Sequence, residues 1–108
     1  HNWRRLTAGE SGIRRIADTG EFEASDISSQ IAGIVPKSSD PSPPPGHFNV
    51  DLFVEPKEQK KMDKFIHFAL AAASEAVADS GWQPQDEESR CRTGVLIGSG
   101  IGGLQTMY

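Results

Sequence analysis

Residues 56–80 carry the pattern that most limits what this chain can fold into. Apolar side chains fall at Met62, Phe65, Ile66, Ala69, Leu70, Ala73, Ala76 and Val77. That is the i, i+3, i+4, i+7 recurrence of a helix that buries one face. Pro56 suits the first helical position, where its missing N–H leaves nothing unsatisfied. Gly81 supplies a residue that tolerates the left-handed conformation after a helix. The spacing therefore predicts one long amphipathic helix over 56–80. Alanines at 69, 71, 72, 73, 76 and 78 leave room for a neighbouring element to approach closely.

The second informative stretch is Thr93-Gly94-Val95-Leu96-Ile97, a short apolar run fit for a buried parallel strand. It leads into the glycine-rich turn Gly98-Ser99-Gly100-Ile101-Gly102-Gly103. Other signals are weaker. The opening residues through Ala8 read as the last turns of a helix stopped at Gly9. Residues 10–28 are polar, broken by Gly12 and Gly20, and read as loop. Gln30–Val35 is a β-rich run ended by Pro36, predicting a strand near a sheet edge. Residues 36–47 hold five prolines, predicting a surface loop with polyproline character. Residues 82–92 read as a polar loop, and a new helix is expected to begin within 102–108. Both ends read as cut.

Only 36% of the residues are hydrophobic, low for a self-sufficient fold, where usage nears about half. The chain is therefore loop-rich, or its core is completed by residues outside these 108. The net charge of −4, from 11 basic and 15 acidic residues, argues against a general nucleic-acid surface, which needs a basic excess. A single cysteine, Cys91, rules out an internal disulfide, and nothing in the composition excludes a reducing cytoplasm. No apolar run approaches the roughly 20 residues of a membrane helix, so no membrane insertion is expected. No signal peptide opens the chain.

Three constellations could carry chemistry. Gly98, Gly100 and Gly103 satisfy G-x-G-x-x-G after an expected strand, the arrangement that lets backbone approach a pyrophosphate at a helix N-terminus. The fingerprint also needs an acidic residue about 20 positions later, a position that falls beyond Tyr108, and glycines at a strand end also serve tight packing. Both readings stay open on spacing alone. Lys57, Lys60, Lys61 and Lys64 form one stripe of the expected helix. A solvated face is the ordinary meaning of such a stripe, yet cations crowding a helix N-terminus oppose its dipole and so point to an anionic partner. Phe68 falls on the same face, away from the expected core. Cys91, between Arg90 and Arg92, has a setting that favours a thiolate. However, His1, His47 and His67 lie at no spacing to it that makes a metal site or a nucleophile–base pair. The proline loop could serve an aromatic-lined domain; without a second proline motif it reads as a stiffened insertion.

Taken in order, Ala8-Gly9-Glu10-Ser11-Gly12-Ile13, Lys57-Glu58-Gln59-Lys60-Lys61-Met62-Asp63, Phe65-Ile66, Ala78-Asp79-Ser80-Gly81-Trp82 and Thr93 through Leu104 closely resemble the elongating type II β-ketoacyl-acyl-carrier-protein synthases. The ordered set is far more specific than any one motif. The resemblance implies an α/β chain that forms an incomplete part, residues 1–108, of the N-terminal half of a thiolase-like αβαβα layered fold. It also implies a homodimeric cytoplasmic acyltransferase that condenses acyl and malonyl thioesters in fatty acid elongation with no cofactor.

By the same resemblance, Lys57, Lys60 and Lys61 match positions that present basic side chains to the acidic acyl carrier protein, and Ile101 matches a position lining the acyl pocket. The family's nucleophilic cysteine and two histidines fall beyond Tyr108. Cys91, His47 and His67 match none of them, so no catalytic, metal or cofactor residue is expected within the chain. The glycines then serve packing. The proline-rich loop over 36–47 departs from the family's shorter versions, which leaves the register through it open.

Overall fold

The computed structural model describes residues 1–20, 23 and 25–103. The chain divides into two compact units, His1–Asn49 and Val50–Tyr108. The expected helix start within 102–108 lies largely outside the described residues.

The first unit opens with helix α1, Asn2–Thr7. Gly9 follows it at φ +70°, the left-handed conformation foreseen for the residue that ends this helix. Strands β1, Ile13–Arg15, and β2, Ile31–Gly33, pair antiparallel with Ile13 opposite Gly33 and Arg15 opposite Ile31. β2 is the predicted strand, shortened at both ends. β1 corrects the reading of 10–28 as loop throughout. Two arginines disguise it, because β pairing is decided by the partner strand more than by intrinsic preference. The Ile16 amide continues the ladder to the Gln30 carbonyl at 3.0 Å. Ile16 then enters a 3-10 turn, Ile16–Asp18, and is one of the few buried side chains among the described residues.

The proline-rich stretch carries no helix or named strand, and it is tied down at both ends. The Phe48 amide donates to the Pro36 carbonyl at 2.8 Å and the Ser38 amide to the Phe48 carbonyl at 3.0 Å. Asn49, buried to 4% exposure, donates its side-chain amide to the Asp40 carbonyl at 2.8 Å. A buried amide without such a partner would be costly, so Asn49 fixes the loop's base.

The second unit begins with a 3-10 turn, Val50–Leu52, and helix α2, Pro56–Gln59. Helix α3, Lys64–Ser80, follows. The predicted single helix over 56–80 is therefore two helices. Lys60 closes α2 and Asp63, with extended backbone and no side-chain capping bond, opens α3. Gln59 secures α2 by donating to the Asp51 carboxylate at 2.7 Å and the Val54 carbonyl at 2.8 Å. Gly81 stops α3 at φ +66°, as the sequence predicts. Along α3, Ala71 is buried and Ile66, Phe68, Ala69 and Ala73 are half-buried, whereas Phe65, Leu70, Ala76 and Val77 are exposed. Phe68 thus lies on the more sheltered side, contrary to its expected place away from the core.

Residues 82–92 hold a short helix α4, Glu87–Cys91, where only loop was expected. Its signal is local: Asp86 accepts the Ser89 amide at 2.8 Å, and Glu87 and Glu88 occupy the first turn, where the helix dipole favours acids. The expected strand over 93–97 is absent among the described residues, and Leu96 is 99% exposed. A buried parallel strand needs neighbouring strands to complete its hydrogen bonds, and no strand pairs with this run among the described residues. At the level of class, the chain is mixed helix and strand, with little sheet.

Candidate functional site

Both groups of site residues foreseen in the sequence lie in the second unit. The lysines do not share one helical stripe. Lys57 is in the last turn of α2, Lys60 is its C-terminal capping residue, Lys61 lies in the turn that follows, and Lys64 opens α3. All four are exposed. Lys60 and Lys61 therefore do not oppose a helix dipole, because at the C-terminal end of α2 a cation is favourable, whereas Lys57, the second residue of this single-turn helix, stays in its first turn. Lys64 opens α3, which has no acid in its first turn. What survives is a cluster of cations around a break between two helices. Lys61 Nζ meets Glu58 Oε1 at 2.6 Å, an exposed pair of small energetic weight.

The glycine turn is seated on the start of α3. A Cβ placed on Gly102 would stand 2.7 Å from Phe65 Cδ1 and 2.8 Å from Cγ. Gly103, at φ +76°, would direct a Cβ to 3.0 Å from Asp63 Oδ2. Gly98 and Gly100 have open space where a side chain would project. Ile101, between the open and the seated glycines, is 79% exposed. The missing side chains at 102 and 103 therefore make room for Phe65 and Asp63. This, with the absence of a preceding strand, takes away the structural context of a pyrophosphate-binding fingerprint.

The remaining reactive side chains do not converge. Cys91 is exposed at the end of α4. Its neighbouring guanidinium groups are directed elsewhere, with Arg90 donating to the Pro84 carbonyl at 3.3 Å and Arg92 lying 3.8 Å from Glu88. The His1 ring borders Gly46, and His47 is exposed. His67, on α3, has a buried Nε2 with no hydrogen-bond partner among the described residues. Among the described residues no group of three or more His, Cys, Asp or Glu could hold a metal ion, and no helix is long and apolar enough to cross a membrane. The seat of the glycine turn on Phe65 is the feature that sequence reasoning missed. Its only sequence signal is the doublet Gly102-Gly103, which does not name its partner.

Comparison with known proteins places these features in a family. The chain is 46% identical over 104 residues to 3-oxoacyl-[acyl-carrier-protein] synthase 2 of Rhizobium meliloti (strain 1021), covering 96% of this chain and 23% of that protein. It is 38% identical over 104 residues to 3-oxoacyl-[acyl-carrier-protein] synthase 2 of Vibrio cholerae, covering 96% and 22%. It is 37% identical over 113 residues to the mitochondrial 3-oxoacyl-[acyl-carrier-protein] synthase of Arabidopsis thaliana, covering 94% and 23%. The chain thus spans less than a quarter of the length of these relatives. None of them is named for nucleotide binding, and the dinucleotide reading of the glycine turn has no support. The family profile described as Beta-ketoacyl synthase, N-terminal domain, matches residues 1–108, and the chain belongs to that family.

Proposed function

We propose that this chain is part of the N-terminal half of a 3-oxoacyl-[acyl-carrier-protein] synthase, a homodimeric, cytoplasmic acyltransferase of the thiolase-like αβαβα fold. The complete enzyme would transfer an acyl group from its carrier to a cysteine thiolate. Loss of CO₂ from malonyl-carrier protein would leave a carbanion at the carbon that lost the carboxylate. That carbanion would attack the enzyme thioester, forming the new carbon–carbon bond and expelling the cysteine sulfur. The observation that carries this reading is the 46% identity to a 3-oxoacyl-[acyl-carrier-protein] synthase across 96% of the chain.

Within this reading the chain supplies contacts rather than the nucleophile. Lys57, Lys60 and Lys61 meet the acidic carrier protein, and their exposure around the break between α2 and α3 suits a partner that arrives from solution. Such contacts speed encounter and are screened by salt. Ile101 lines the acyl pocket and limits chain length. Its exposure leaves its side chain available to a substrate chain rather than committed to a core.

The test is charge reversal of Lys60 and Lys61 to Glu in the full-length enzyme. Removing two favourable exposed pairs and adding two unfavourable ones, at ~0.2–1 kcal/mol each, raises KM for acyl-carrier protein about fourfold or more. KM for a small acyl thioester stays unchanged. Equal effects on both substrates would show that the lysines are only a solvated surface.

A further inference from the structure

We infer that Phe65 is a positioning residue for chain-length selection: its ring, pressed against the bare α-carbon of Gly102, fixes where the Ile101 side chain stands. This rests on the reading of Ile101 as acyl-pocket lining.

The contact is tight and specific. Three ring carbons of Phe65 lie within 2.8 Å of the place a Gly102 Cβ would occupy, closer than any side chain allows, so only glycine accepts the ring there. The next residue repeats the relationship one step along, with Gly103 against Asp63 Oδ2. Asp63 and Phe65 flank the first residue of α3, whose opening turn is closed by the Asp63 carbonyl accepting from Ile66 at 3.0 Å and His67 at 3.4 Å. The seat is thus a helix end, a stiff element. A Cβ on Gly98 or Gly100 would meet nothing within 4 Å, so the close seat on α3 lies on the Gly102 side of Ile101.

Ile101 itself is 79% exposed, so its own side-chain contacts do little to hold it. A β-branched side chain has little freedom at χ1, and its position follows its backbone. That backbone is anchored one residue away, by Gly102 on Phe65. Removing the ring lets the turn settle toward α3 and draws Ile101 with it. The wall retreats without any change to the wall residue.

The experiment measures acylation rates with short and long acyl-carrier thioesters in the full-length protein carrying F65A, F65L, I101F, G102A and the pair F65A/G102A. In F65A the long-to-short ratio is expected to rise about tenfold, the scale of a methylene or more of added room in an apolar pocket. KM for the carrier stays constant, and F65L restores much of the native ratio. G102A lowers thermal stability and disturbs the ratio, and F65A/G102A recovers part of both losses, because the ring that the new methyl would strike is gone. A uniform rate loss at every chain length in F65A and F65L, or additive stability losses in the pair, would overturn the role of Phe65. The I101F variant separates the two claims. An unchanged ratio in I101F removes the reading of Ile101 itself. A changed ratio in I101F with none in the Phe65 variants removes this inference alone.

Discussion

The indole N–H of Trp82 donates to the Thr93 hydroxyl at 2.9 Å, and that hydroxyl donates in turn to the Ser89 carbonyl at 2.7 Å. The two bonds close the polar segment between them into a loop around α4. The Thr93 amide adds a third tie, to the Arg90 carbonyl at 3.1 Å. Thr93→Val keeps the side chain's shape and removes both hydroxyl bonds. Each neutral bond contributes roughly 0.5–1.5 kcal/mol, and exposure places these at the low end. The expected loss is about 1 kcal/mol in denaturant unfolding, with a change in Trp82 emission read in a Trp3→Phe background. Thr93→Ser restores the emission. A valine variant that leaves Trp82 emission unaltered would show that the indole bond does not persist in solution.

The cap of α4 makes a pH prediction. The Asp86 carboxylate accepts from the Ser89 amide, and this backbone bond, followed by the Ser89 side chain, holds its pKa below the ordinary 3.8. A lowered folded-state value means the charged form is favoured on folding. The contribution is therefore fully present above the ordinary aspartate pKa and is lost as pH falls through it to the folded value. The Ser89 amide should lose hydrogen-exchange protection in that acid window, with no change at neutral pH. Asp86→Asn retains an accepting oxygen of similar capping strength and removes the titration, so its protection stays flat across the same range. An acid loss of equal size in Asp86→Asn would assign it to another group.

How far the sequence alone could lead is visible at the joints between elements. Gly9 and Gly81 mark helix ends correctly because the left-handed turn is a property of one residue. The apolar recurrence over 62–77 finds α3 because helical periodicity is also carried by local sequence. The pattern fails at Lys60–Asp63, where periodicity continues through a break that depends on Asp63 opening a second helix. β1 and the 93–97 run fail in opposite directions: Arg14 and Arg15 hide a strand that β2 supports, and Val95–Ile97 advertise one that nothing among the described residues pairs with. Strand identity resides in the partner, which local sequence does not contain. Lys57, Lys60, Lys61 and Ile101 are legible only through family resemblance, and the break after α2 puts Lys60 and Lys61 at a helix C-terminus rather than near its start. Phe65 was assigned to the buried face of one helix, and its contact with Gly102, 37 positions along the chain, lies beyond the reach of any periodicity.

The isolated 108-residue chain is expected to show no condensing activity and no acylation. Cys91 is exposed, but exposure alone does not make a nucleophile. A reactive thiol needs a base or cation at hand, and both flanking arginines are directed to other acceptors. Incubation with an acyl-carrier thioester followed by intact-mass measurement should leave the chain unmodified, while a small alkylating reagent labels Cys91 once. Acylation of Cys91 by the carrier thioester would overturn the view that this segment holds no nucleophile.

Gly81 offers a test of backbone conformation separated from packing. Its φ of +66° places it in the left-handed region, and a Cβ there would meet nothing within 4 Å. The cost of a side chain at this position is thus purely conformational, roughly 1–2 kcal/mol for an L residue forced left-handed. Asparagine visits this region more readily than alanine, so stability should fall in the order Gly81, Gly81→Asn, Gly81→Ala. The effect should extend to the chain that follows. The Trp82 amide donates to the Ser80 hydroxyl oxygen at 3.1 Å, and that hydroxyl donates to the Val77 carbonyl at 2.8 Å. Gly81 is the residue that turns the backbone so that this relay closes and the Trp82 indole reaches Thr93. Gly81→Ala should therefore shift Trp82 emission in the same direction as Thr93→Val, and combining the two should shift it little further, because both release the same indole. Unfolding midpoints and emission maxima of the three variants decide the matter. Additive emission shifts would mean that the helix stop and the loop around α4 are independent features.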